Sequence, residues 1–164
     1  MTDLVPLFIA VPLGLAFLTL ITSKFSKRSS DVLTFLGMLF LVFLAVRMIS
    51  GGTIDLIVGG WERTFEGLVI GIQLRADNLT IILLLIIQII GFLAIVYSLN
   101  YMERYTAKPK YYALFLLMIG GMNGVVLAGD LFNLYVFLEI ASLASYALVG
   151  FGVESGSWKR RLNT

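Results

Sequence analysis

The chain of 164 residues contains no cysteine and no histidine. Without them it cannot build a disulfide, an iron–sulfur cluster, a haem ligand set or a zinc site of the usual kind. A Ser–His or Cys–His hydrolytic dyad is excluded for the same reason. Nor is a nucleotide-binding loop visible. The chain therefore offers no active site of its own, and neither metal nor cofactor is expected. Charge is the third scarcity: Asp, Glu, Lys and Arg make up 13% of the residues, about half the ~25% usual in a soluble domain.

What the chain has in abundance is apolar sequence, 59% of it, with a mean hydropathy of +0.97. Five long stretches stand out, at 4–22, 32–50, 79–102, 111–129 and 131–151, and Arg47 and Glu139 are the only charges within them. The other charges crowd into the connecting segments. A water-soluble helix keeps a polar face, so this segregation is foreign to soluble bundles. Each stretch has at least 19 residues, and at ~1.5 Å per residue that is enough for a hydrocarbon core of ~30 Å. The expected fold is an all-α membrane protein of five transmembrane helices, in one membrane domain spanning 1–164. The first stretch lacks a basic n-region and is too long for a signal core, so it is expected to be a retained helix.

Loop charges orient the bundle. Lys24, Lys27 and Arg28 follow the first stretch, Arg104, Lys108 and Lys110 the third, and Lys159, Arg160 and Arg161 the fifth. These segments share one side, and the positive-inside rule makes that side cytoplasmic, with the N-terminus outside. A multi-pass protein of the cell membrane is expected, and the sequence pI of about 9.0 reflects these flanks rather than a nucleic-acid partner. Between the second and third stretches, the β-prone runs Ile54–Val58 and Leu68–Leu74 predict a small extracellular hairpin, with Trp61 at the headgroup level.

Glu139 is the residue that asks for a function. It lies nine residues beyond Asp130, about 13 Å in, close to the bilayer midplane. A carboxylate there costs ~2.5–3.5 kcal/mol on insertion scales. Tyr135, Ser142 and Tyr146 share its broad helix face at i−4, i+3 and i+7. A carboxyl among hydroxyls suits a proton relay, because burial of a carboxyl raises its pKa toward working pH; a structural interhelical pair is the alternative. Asp77 and Asp130 open the third and fifth helices, where a carboxylate caps free N–H groups, with a place at the mouth of an ion path as the second reading. Gly120 and Gly124, four apart around Asn123, form a small-residue surface for helix packing, with Asn123 hydrogen-bonding a neighbour. Arg47 and the pair Tyr97 and Tyr101 read as interfacial anchors.

The segments GGW (59–61), GIQLRADNLT (71–80), YSLNYM (97–102) and GDLFNLYVFLEIASLASYALVGF (129–151) resemble the antiporter-like subunits of the complex I superfamily. The resemblance is strongest to the large D-type subunit of Mrp cation/proton antiporters and its relatives in membrane-bound hydrogenases. It implies the first five helices of a fold of about fourteen, with two inverted five-helix repeats. It also implies that Glu139 matches a glutamate that pairs with a lysine on helix 7 and modulates another on helix 8. This chain has no intramembrane lysine.

The resemblance thus implies a membrane subunit of a multisubunit ion-translocating complex, either a secondary antiporter or a redox-driven pump. Its partners would be other membrane subunits, one of them supplying helices 6 onward with an intramembrane lysine, together with the lipid bilayer and H+ or Na+. A split subunit is the preferred expectation over a truncated copy. The alternative function is a non-transporting structural or assembly subunit of a membrane-bound hydrogenase or oxidoreductase.

Overall fold

A computed structural model of the chain describes residues 4–24, 27–49, 52–58, 71–102 and 107–161. The elements run α1 (Leu7–Thr22), α2 (Lys27–Met48), β1 (Ile54–Val58), β2 (Ile72–Ala76), α3 (Asn78–Tyr101), α4 (Lys108–Leu127) and α5 (Leu131–Arg161). Ser29–Met48, all of α3 and α4, and Leu131–Phe151 are long and apolar enough to cross a membrane. The chain is a multi-pass membrane protein.

α1 is the short one. Its 16 residues reach about 24 Å, less than a full hydrocarbon core. It begins after Pro6 and carries Pro12 inside it. α5 differs the other way: the helix continues for 31 residues to Arg161 rather than stopping near 151.

Local signals account for the helix ends. Asp77, in an extended conformation, accepts a hydrogen bond from Thr80 N at 2.8 Å and so caps α3. Pro109 sits in the first turn of α4, where its missing N–H leaves no bond unmade. At the end of α1, Ser29 Oγ and Ser30 Oγ of α2 donate to the carbonyls of Thr22 and Thr19 at 3.0 and 3.3 Å, joining the last turn of one helix to the first turn of the next.

α4 is the centre of the bundle. It packs mainly against α1 on one side and α5 on the other, while α2 pairs with α3 and also meets α1. Close approach is possible because α4 carries small residues. A Cβ on Gly120 would touch Leu13 and Pro12 of α1 at 3.2 and 3.4 Å. A Cβ on Gly121 would come within 2.7 Å of Ala141 N, and one on Gly124 would overlap the Phe137 ring, so both of these glycines admit α5.

The hairpin forms, with one strand displaced from expectation. β1 is Ile54–Val58, and its antiparallel partner is Ile72–Ala76, in the register Ile54↔Ala76 through Val58↔Ile72. The expected second strand, Leu68–Leu74, begins outside the described residues, as does Trp61. The later register buries Leu74 and Ala76 against the helices and turns Arg75 outward, which is the alternation a one-sided sheet requires.

Candidate functional site

Most of the polar groups buried among the helices are answered within the chain. Pro12 has no N–H, so the carbonyl of Phe8 one turn earlier loses its helical donor. Asn123 Nδ2 of α4 supplies the replacement at 2.8 Å, and Gln88 Nε2 of α3 donates to Asn123 Oδ1 at 2.6 Å. All three residues are fully buried. The chain of bonds also orients both amides, because reversing either would set like groups against each other. Gln88 Oε1 remains without a partner.

A second knot lies at the opposite end from the hairpin. Lys108 Nζ binds Asp31 Oδ2 of α2 at 2.8 Å and the Leu99 carbonyl of α3 at 3.1 Å, and it stands 5.8 Å from the Tyr112 ring centre. Lys108 and Asp31 both fall between the apolar stretches of the sequence, yet each lies within the first turns of a helix. A lone acid in a basic segment was the available signal.

Glu139 behaves differently. It is exposed on α5, on the side turned away from α4, and no hydrogen bond or ion pair reaches it among the described residues. Tyr135 and Tyr146 are 67% and 72% exposed on the same side, while Ser142 lies half-buried at its margin. The burial expected of Glu139 is thus not supplied by α1–α4. The inner side of α5 instead presents Phe137, Ala141 and Ala144 to α4. In hydrocarbon, a polar strip left open in this way is costly unless further protein or water covers it.

Asp130 anchors the start of α5. Its Oδ1 accepts from Asn133 N at 2.8 Å, its Oδ2 accepts from Asn133 Nδ2, and Oδ2 also lies 3.3 Å from Gln73 N of β2. Partial burial raises the pKa of this carboxyl, but the Asn133 and Gln73 hydrogen bonds outweigh it and hold the pKa below its usual value. Asp77 is also held low, first by the hydrogen bonds from Thr80, backbone and side chain. Arg47 is exposed in the last turn of α2, with its guanidinium 5.9 Å from the Phe43 ring centre. Tyr97 and Tyr101 stack on each other, with ring centres 5.7 Å apart, on the outer side of α3. Among the described residues no group of His, Cys, Asp and Glu could hold a metal ion.

The helices thus close a core on one side and leave a polar strip open on the other. Residues 61–112 match the family model described as NADH-ubiquinone oxidoreductase (complex I), chain 5 N-terminus. The N-type subunit of NADH-quinone oxidoreductase from Desulforudis audaxviator is 42% identical over 113 residues, which cover 68% of this chain and 22% of that one. The D-type Na(+)/H(+) antiporter subunit from Alkalihalophilus pseudofirmus is 32% identical over 155 residues, covering 93% and 30%. Among solved structures, an archaeal membrane-bound sulfane sulfur reductase superposes with a TM-score of 0.77 at 28% identity, over 87% of this chain and 29% of that one. The Mrp complex from Dietzia sp. superposes with a TM-score of 0.76 at 27% identity, over 90% and 27%.

The chain is homologous to the N-terminal portion of the antiporter-like subunits of the complex I superfamily. It spans between about a fifth and a third of the length of these relatives.

Proposed function

We propose that the chain contributes Glu139 to a proton or Na+/H+ pathway in a multisubunit ion-translocating complex of the cell membrane. The pathway is completed by helices that these 164 residues do not contain. The observation that carries this reading is the position of Glu139: near mid-span, outward from the core, between two exposed tyrosines. The same face would be bare of polar groups if lipid were its neighbour.

The mechanism is electrostatic. A covering helix with a basic side chain, a lysine in the reading taken from the related antiporter subunits, neutralises Glu139 and excludes lipid from the strip. When the pair is closed, the carboxylate holds that lysine protonated; when it opens, the lysine's pKa falls and its proton moves on. Tyr135, Ser142 and Tyr146 offer hydroxyls on either side of the carboxyl along the helix, to donate to it or to pass protons through water. The basic flanks orient the bundle with the hairpin outside and the lysine-rich ends in the cytoplasm.

Replacing Glu139 with Gln keeps the shape of the side chain and removes its titration. In vesicles holding the assembled complex, Glu139→Gln is expected to abolish cation/proton exchange or pumping without loss of assembly. Unchanged transport by that variant would reject the pathway role and leave the chain as a structural subunit.

A further inference from the structure

α5 packs chiefly on one helix, α4, and its spanning segment is the least covered in the molecule. Its outer end is nevertheless held a second time, by the hairpin. After α4 ends, Ala128 turns extended and bridges to Leu74 of β2. Gly129 N then donates to the Gln73 carbonyl at 2.8 Å, and the Gln73 N–H is directed back at Asp130 Oδ2, 3.3 Å away. Both backbone groups of Gln73 are thereby spent on the α4–α5 turn. The Asp130 carboxylate takes the place that a strand carbonyl would occupy.

Space at 129 is tight, and a side chain there would press Gln73 back by a few tenths of an ångström. A Cβ there would stand 3.0 Å from Gln73 Cβ and 3.2 Å from its carbonyl oxygen. Ala128 and Gly129 thus pair with β2 through a single antiparallel bridge and one backbone hydrogen bond, and β2 passes directly into the Asp77 cap of α3. The same carboxylate caps α5 through Asn133 N.

We infer that Asp130 is a positioning residue: by joining the first turn of α5 to β2, it sets the level at which α5 presents Glu139. The strut is a backbone bridge and a carboxylate contact at the hairpin end of the bundle, and it ties the start of α5 to the start of α3. Its importance for transport rests on the pathway reading of Glu139; its geometry does not. The effect on transport follows because displacement of a reacting group by about 1 Å can cost roughly 100-fold in rate.

Serine separates the two duties of Asp130. It is a good helix cap, but it has no second oxygen to reach Gln73 N. The test places Asp130→Ser and Gly129→Ala in the full chain within its membrane complex. Spin labels at Ile57→Cys in β1 and Leu138→Cys in α5 report the distance from the hairpin to the level of Glu139, and these 164 residues contribute no native cysteine to compete for the label.

The expected result is a shifted or broadened label distance in both variants, with transport lowered about tenfold or more at equal assembly. A Ser variant equal to the parent in distance and rate would show that Asp130 only caps a helix, and would overturn the inference. A changed distance with undiminished transport would overturn the positioning role just as surely. Glu139→Gln run in parallel keeps the questions apart: if that variant transports normally the pathway reading fails, while the label distances still decide whether the strut exists.

Discussion

Two outward faces of this bundle are bare of protein and chemically unlike. On α2 and α3, the exposed side chains include Leu36, Phe40, Phe43, Ile82, Ile86, Ile90 and Leu93, a surface that matches lipid chains. On α5, Leu131, Leu138, Leu143 and Val149 are interrupted by Tyr135, Glu139 and Tyr146. Exposure therefore means different things on the two sides. An apolar face is at rest against hydrocarbon, whereas a face with a carboxyl near mid-span is unfinished until something polar meets it.

Exchanging the character of the two faces is the strongest test. Glu139→Leu makes the α5 face lipid-like; membrane insertion is expected to hold or improve, while transport by the complex is lost. The opposite change, Ile90→Asp on α3, sets a carboxylate where only lipid waits. It is expected to cost about 3 kcal/mol in insertion, read as a drop in membrane-integrated protein without a specific transport defect in what remains. If Ile90→Asp inserts as well as the parent, the α3 face is covered by protein and the contrast is broken.

A smaller effect is expected at the inner polar groups. Asn123→Leu strips the donor from the Phe8 carbonyl and the acceptor from Gln88, at a cost of about 1–3 kcal/mol. A lower midpoint in thermal unfolding of the detergent-solubilised protein would register it. Pro12→Ala in the same background returns a helical N–H to that carbonyl and should recover part of the loss. Asp31→Asn weakens the Lys108 contact, and an effect nearer 1 kcal/mol is expected because both side chains keep some access to water.

The smallest effect is on pH. The pKa values of Asp77 and Asp130 are held below the usual carboxylate value, so their stabilisation is complete above the unfolded pKa near ~3.9 and is lost as pH falls through the folded values. The hairpin end should therefore be indifferent to acidification down to about pH 4 and loosen below it, as amide exchange at β2 and the start of α5 would report.

Much of this was legible in the residues, for a simple reason. Lipid imposes one length and one polarity on whatever crosses it, so 79–102 could only be α3 within a residue or so, and Glu139 stood out as a charge where the solvent offers nothing. Asp77 could be read as a cap because its partner, Thr80, is three residues away. Failure came where partners are distant in sequence. Pro12 leaves a carbonyl open, but nothing local says that Asn123 will close it. Lys108 and Asp31 look like loop charges until α2 and α4 are placed side by side. The start of β2 depends on which alternate residues the helices below can bury, and those proved to be Leu74 and Ala76.

By itself, then, the sequence determined that this protein lives in a membrane, how its main spans are divided, and which carboxyl sits near their middle. These follow from composition and spacing, which act along the chain. Only the tertiary structure decided that Asn123 and Gln88 turn inward to the one carbonyl that Pro12 leaves open in α1, that Asp130 is shared between α5 and β2, and that Glu139 turns outward. Each of these depends on which helix packs against α4 and on which side. Gly121 and Gly124 bring Ala141 and Phe137 of α5 against that helix, and the opposite face, with Glu139, is thereby left open.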